Sequence, residues 1–512
     1  VQHKGCFFLL PSKKNTGQSV GTVRDSTYHM PMKKLISSLL IVSFTSSVTL
    51  LPVMADSLPD LGDSAQTTLS RQQEQALGDS IMSQIRMSRD VVDDVEIKDY
   101  LNRLGGKLVA ASPDPRQRFE FFIVSDPTLN AFALPGGYIG VHTGLIFTAQ
   151  SESELAAVLG HEIAHVTQRH LSRSIEKNQN VMLLGLAVLA AGLLASRSNS
   201  GQITEAAIAG SQALTIQGQL NFTREHEYEA DRIGIQILAA AGFDPRAMPV
   251  FFGRMEKTNR LYDNNAPEYL RTHPLDSARI AESQNRSAAY PYKQYAENPE
   301  FHLMREKLRA KDGSAVAQIR YFESAINDRR FNLEAASYYG LATALFRDHQ
   351  FQKAHQAVVQ ARKTLSHPLL ESLDAQISLA LGNKDEAVRQ YLAALGKYPN
   401  HYGLHYGLIQ CRLAQHQPTE AIKLAQQQIA ARTSNGDFYA LLAEAYAQQG
   451  QESAQQQAQA EYYYRQGLLD EAIIQLQMAA HAKNNDFYRQ SAIEARLKNL
   501  QEEQELVKKK GS

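Results

Sequence analysis

The five residues His161-Glu162-Ile163-Ala164-His165 carry the clearest chemistry in this 512-residue chain. On a helix, positions i and i+4 share a face, so both imidazoles can reach one metal ion. Zinc suits the pattern, because it accepts imidazole nitrogen, keeps a position open and lowers the pKa of a water there to roughly 7. Glu162, next to the first histidine, can take the proton of that water. Five residues of this kind recur by chance. The preceding run Glu154-Leu155-Ala156-Ala157-Val158-Leu159-Gly160 supports them, being a strong helix former with small residues where another element must approach.

A third ligand must come from elsewhere. A motif continuing to Gly at 168 and His at 171 is excluded by Gln168 and Leu171. His170 is one place off; on a continuous helix it is rotated away from His161 and His165, so it is expected to be a solvated or capping histidine. The segment Glu225-His226-Glu227-Tyr228-Glu229-Ala230-Asp231 offers better groups. Helical phase puts Glu225, Glu229, Arg232 and Gln236 on one polar face. Glu227, Ala230, Asp231, Gly234 and Leu238 share another, mostly small or apolar. A carboxylate on a core-facing stripe needs a partner, and a zinc ion is one. Glu227 is therefore the expected third ligand. Asp231, one turn on, suits an acceptor for the N–H of a ligating imidazole.

With these motifs in hand, the chain resembles the M48 gluzincin peptidases. The likeness rests on the HExxH helix and the later Glu-x-x-Ala-Asp at 227–231. It extends to Asn130-Ala131-Phe132-Ala133-Leu134-Pro135-Gly136-Gly137 upstream and Thr272-His273-Pro274 downstream. It implies a single Zn2+ held by His161, His165 and Glu227, with Glu162 as general base and then proton donor. It implies that Asn130, Ala131, Phe132, Ala133 and Leu134 form a substrate-facing edge strand, to which an extended peptide adds by backbone pairing. His273 is then placed near the zinc. It either stabilises the oxyanion in the transition state or fills the open metal position and keeps the enzyme latent. Arg279 matches a recurrent basic position and pairs at least with a nearby acid.

The elements that must position these groups follow from patterning. Residues 73–111 read as helical and Phe119–Val124 as a strand. Asn130–Val141 reads as a hairpin or strand edge, and Glu152–Ser174 as one long amphipathic helix. Val181–Ala195 is fifteen uncharged residues. They reach only about 22 Å, short of a hydrocarbon core of about 30 Å. They are expected to form a buried or interfacial helix beside the site, with peripheral membrane contact. Small residues then recur at Ala354, Ala387, Ala421 and Ala454, at steps of 33 or 34 residues. That period is the tetratricopeptide signature of paired helices stacked into a superhelix. Gly467–Ala472 comes early for the period and reads as an irregular or terminal repeat.

The expected fold is mainly α: a zincin-like α+β metallopeptidase domain with a small sheet, then an α-helical tetratricopeptide superhelix. The expected divisions are an untranslated upstream segment (1–31), a signal peptide (32–55), the peptidase domain (56–290), a polar linker (291–312), the repeats (313–500) and a charged tail (501–512). The signal peptide is read from Met32-Lys33-Lys34, an apolar run to Leu51 and small residues before Asp56. Without residues 1–55 the chain has 47 basic and 52 acidic residues. This mild acidity argues against a nucleic-acid partner. Cys6 lies upstream and Cys411 alone cannot form an internal disulfide. Together with the resemblance, this organisation implies the periplasm of a Gram-negative bacterium. The clients would be unfolded or misassembled outer-membrane proteins, and the repeats would contact the β-barrel assembly machinery. A non-proteolytic chaperone or scaffold, with the metal site latent, is the alternative.

Overall fold

Alternation of side chains along three short strands builds the sheet. β1 (Glu120–Val124), β2 (Ala131–Leu134) and β3 (Tyr138–His142) lie in the order β1-β3-β2. β1 runs parallel to β3, with Phe121 opposite Ile139. β2 runs antiparallel to β3, with Ala133 opposite Ile139. Successive strand residues point to opposite faces. Phe121, Ile123, Ile139 and Val141 therefore join one core with Leu101, Leu104 and Leu108 of α2 (Val95–Ala110), while Phe122, Tyr138 and Leu134 join another with Ile81, Met82 and Ile85 of α1 (Arg71–Met87). The helical patterning expected at 73–111 is thus carried by two helices. The computed structural model describes residues 70–87, 90–177, 223–261, 268–432, 436–482 and 485–511, all within one compact unit, Gly62–Ser512. The expected signal peptide and the Val181–Ala195 stretch lie outside the described residues.

After the sheet come α3 (Thr143–Thr148), α4 (Glu152–Thr167), α5 (His170–Lys177), α6 (Arg224–Ala240), α7 (Ala247–Leu261), α8 (Glu268–Thr272) and α9 (Ser277–Ala288). The one long helix expected at Glu152–Ser174 is broken between α4 and α5, where Arg169 adopts a left-handed φ of 54°. Leu155, Val158, Leu159 and Ile163 of α4 fill the space between the sheet and the later helices.

The stretch expected as a polar linker folds differently. Its second half is α10 (Pro299–Lys311), started by Asn298, whose side chain accepts from the Glu300 N–H. Phe301, Leu303, Met304 and Leu308 are buried in a cluster continuous with both the peptidase core and the first repeats. The apolar spacing of this helix is masked by charges that are themselves buried. Arg305, Glu306 and Lys307 are each less than a tenth exposed. Arg305 pairs with Glu306, and Lys307 pairs with Asp94 and Glu96.

Helix α11 (Ala315–Asn327) precedes four pairs: α12 (Glu334–Arg347) with α13 (Phe351–Arg362), α14 (Pro368–Ala380) with α15 (Lys384–Lys397), α16 (Tyr402–Ala414) with α17 (Pro418–Ala431), and α18 (Asp437–Gln448) with α19 (Glu452–Arg465). Ala354, Ala387, Ala421 and Ala454 each sit buried near the start of the second helix of a pair. Within every pair the joining turn uses one left-handed residue: His349, Gly382, His416 and Gly450. That residue ends the first helix and lets the second fold back. The early phrase at 467–472 begins α20 (Leu469–His481), followed by α21 (Phe487–Gly511). The expected charged tail continues as α21. Cys411 is buried, and burial pushes its thiol up to about 12.

The repeats return to the peptidase domain at the start of α2. Lys307 Nζ lies 2.9 Å from Asp94 and 2.5 Å from Glu96, Lys311 also reaches Asp94, and Lys98 pairs with Asp437 of α18 at 2.8 Å. Burial opposes ionisation of Asp94, but Lys307 and Lys311 outweigh it and hold its carboxyl well below the ordinary range. A depressed acid contributes stability that is complete above its unfolded pKa of about 3.9 and is lost as pH falls towards the folded value. Limited proteolysis between α9 and α10 should therefore accelerate as pH falls below about 4, and Asp94→Asn should remove that portion of the pH dependence. Separately, His416→Gly should raise the denaturation midpoint, from a gain in stability of roughly 0.5–1 kcal/mol, since a side chain at this φ of 56° is unfavourable.

Candidate metal centre

Two capped helices bring the metal-binding groups together. Ser151 caps α4 by accepting from the Glu154 N–H, and Thr223 caps α6 by accepting from the His226 N–H. The helices cross where Gly160 faces Gly234. A Cβ on Gly234 would lie 3.2 Å from the His161 backbone nitrogen and 2.8 Å from Met248 Cε. With hydrogen atoms there instead, Glu227 reaches both histidines of α4.

The distances are short and mutually consistent. His161 Nε2 lies 3.0 Å from His165 Nε2 and 3.5 Å from Glu227 Oε2, and His165 Nε2 lies 3.4 Å from Glu227 Oε1. His273, just after α8, brings Nδ1 to 3.0 Å from Glu227 Oε1 and 3.4 Å from His161 Nε2. One ligand atom from each of the four residues lies within 4.8 Å of the other three, and all four residues are buried. Tetrahedral zinc with bonds of about 2.0–2.1 Å separates neighbouring ligand atoms by about 3.3 Å. The residues present therefore fit a small divalent cation.

The electrostatics of the site favour positive charge at its centre. Glu162, Glu227 and Asp231 are all buried. Arg279 of α9 answers part of their charge: Nε and Nη2 each donate to Asp231 at 2.8 Å, and Nη1 lies 2.8 Å from Glu227. Burial disfavours protonating His161, but Asp231 and Glu227 outweigh it and push its pKa up to about 10. The carboxylates thus draw a cation or a proton to this point. His165 is held well below its ordinary value by burial and by His161. It is therefore neutral, the ligating form.

Glu162 follows His161 on α4, and its carboxylate lies 3.6 Å from His273 Nε2. Both carboxylate oxygens are buried without a hydrogen-bond partner. The Ala133 backbone N–H approaches them without reaching hydrogen-bonding geometry. Burial pushes the Glu162 carboxyl up, while His273 and His161 favour its charged form. A buried carboxylate with unused lone pairs has the capacity to hold a water.

The expected substrate strand is β2, an edge of the sheet lying against α4. Ala131 and Leu134 point into the core, whereas Phe132 and Ala133 are half-exposed. Asn130 is fully buried and neither of its side-chain polar atoms has a hydrogen-bond partner. Asp231 Oδ1 is 3.0 Å from His161 Nδ1, the position expected for it.

Three residues were missed or misplaced by sequence reasoning. His170, expected as solvated or capping, is fully buried, with Nδ1 2.9 Å from His165 Nδ1. The helix break at Arg169 overturns the phase argument. Glu229, expected on a solvated stripe, lies 3.1 Å from His170 and pairs with Arg173. Tyr269, one turn before His273, stacks on it with ring centroids 4.7 Å apart and buries its hydroxyl without a partner. No spacing rule singles out that tyrosine.

Two imidazoles and a carboxylate converging beside a second carboxylate, under a strand edge, make the architecture of a metalloendopeptidase. Residues 96–287 match the profile of peptidase family M48. The beta-barrel assembly-enhancing protease of Escherichia coli strain K12 is 33% identical over 93% of this chain and 98% of its own length. A Vibrio cholerae relative bearing that name provisionally is 41% identical over 60% of this chain, and the match spans 63% of the relative. The crystal structure of yeast Tom70 overlaps 69% of this chain and 89% of its own, at 9% identity and a TM-score of 0.29. The chain belongs to peptidase family M48, a family of metalloendopeptidases.

Gly234→Val should force α4 and α6 apart, lowering stability by about 1–3 kcal/mol. A metal titration with a chromophoric chelator should show weaker binding in the same variant.

Proposed function

We propose that this chain is a zinc-dependent endopeptidase exported to the periplasm of a Gram-negative bacterium. There it degrades unfolded or misassembled outer-membrane β-barrel proteins, while its repeats hold clients or the barrel assembly machinery close by. The observation that carries this reading is the convergence of His161, His165 and Glu227 beside Glu162 and the edge of β2. The printed name of the Escherichia coli relative supports the barrel-assembly context. The signal-peptide layout at 32–55 supports export.

His161, His165 and Glu227 would hold the zinc ion, which supplies a Lewis acid and a water of lowered pKa. The protein's own groups do the rest. Asp231 fixes the His161 tautomer through Nδ1, and Arg279 pins Asp231 and Glu227 in place. Glu162 takes the proton of the attacking water and passes it to the leaving amide nitrogen, a task suited to a carboxyl raised by burial. β2 aligns an extended peptide by pairing along its open edge. The repeats raise the local concentration of client near that edge.

His273 favours a second, compatible reading. Its Nδ1 stands among the ligand atoms and its Nε2 is 3.6 Å from Glu162 Oε1. In this arrangement His273 fills the position that catalysis needs open. That supports a latent resting state, with any chaperone or scaffold role carried by the repeats. Glu162→Gln should retain zinc, measured by elemental analysis, and lose cleavage of an unfolded barrel protein by about 100-fold or more. Proteolysis by the Glu162→Gln protein at the wild-type rate would remove the catalytic assignment. His273→Ala should cleave faster than wild type; slower cleavage would assign His273 to the transition state instead.

A further inference from the structure

The chain leaves α4 through a strained residue and at once returns a histidine to the site. Five residues along an unbroken helix, His170 would be turned about 140° from His165. Arg169, at φ 54°, instead swings the chain so that α5 starts with His170 beneath His165. A non-glycine residue in that region costs roughly 1–2 kcal/mol, which surrounding contacts must offset. The contacts made there are specific. His170 is fully buried, its Nδ1 is 2.9 Å from His165 Nδ1, and its Nε2 is 3.1 Å from Glu229 Oε2. Glu229 also accepts from Arg173 Nη1 at 2.9 Å. The ring is stacked on His226 with centroids 4.4 Å apart.

Proton placement along this chain follows from His165 donating Nε2 to a metal. His165 faces the ligand group with Nε2, so its lone pair must be there and its proton on Nδ1. His170 Nδ1, 2.9 Å away, receives that N–H through its lone pair. His170 must then carry its own proton on Nε2, where Glu229 accepts it. Each imidazole is thereby locked in one tautomer and one ring orientation. We propose that His170 is a positioning residue that orients His165 for metal binding, with Glu229 setting the tautomer of His170. The two histidines of α4 are thus held by different devices: Asp231 directly behind His161, and a His170–Glu229 relay behind His165.

This inference rests on the reading of His165 as a metal ligand. The test separates it from simple packing. Zinc affinity of the full chain is measured by chelator competition for wild type, His170→Phe and His170→Asn, alongside the thermal midpoint of each metal-free protein. Phe keeps the ring and its stacking but has no acceptor. Asn loses the ring but can place an oxygen where Nδ1 stood. Orientation predicts affinity about 10–100-fold weaker for His170→Phe, with His170→Asn recovering most of it. Wild-type affinity in His170→Phe, or a weaker His170→Asn than His170→Phe, would overturn the proposal and leave the metal centre standing. Failure of wild type to bind zinc would remove both.

Discussion

The close crossing of α4 and α6 is the constraint on which the rest depends. One helix supplies two imidazoles and the other a carboxylate, and no single helix can surround an ion. Gly160 and Gly234 let the two backbones approach until Glu227 reaches both histidines. The apolar core around Leu155, Val158, Ile235 and Leu238 then holds that distance. Packing here does the work that a flexible loop could not, because ligand groups must be fixed within fractions of an ångström.

Burying so many acids in one place is costly unless each is answered. The fold spreads that task. Arg279 arrives from α9, a helix started by Asp276, whose side chain accepts from the Arg279 N–H. It grips Asp231 with two nitrogens and Glu227 with a third. The remaining negative charge faces the centre of the ligand group, where a cation belongs. Glu162 is not one of the four residues of the ligand group, and its oxygens accept no hydrogen bond.

The repeats are not an appendage on a flexible tether. Helix α10 is common to both regions, and the apolar cluster runs through it from the sheet to α14. Lys307 sits buried between Asp94 and Glu96, while Lys98 joins the start of α2 to α18. The start of α2 therefore lies among residues of the repeat helices α12, α14, α16 and α18, with Gly403 close against Glu96. The repeats and the ligand group thus belong to one compact unit.

The sequence by itself determined what depends on local periodicity. The i, i+4 histidines, Glu227 on the apolar stripe, Asp231 one turn on, and the alanines at steps of 33 or 34 all follow from helix phase. Phase holds only while a helix is unbroken. The left-handed Arg169 moved His170 into the site, against expectation, and Glu229 followed it from a supposed solvent face. Likewise, the stretch that holds α10 reads as a polar linker in sequence, yet Lys307 is buried because its partners Asp94 and Glu96 lie more than 200 residues away. Tertiary structure alone decided these points, because burial and pairing belong to groups that meet in space, and one strained backbone residue redirects every side chain after it.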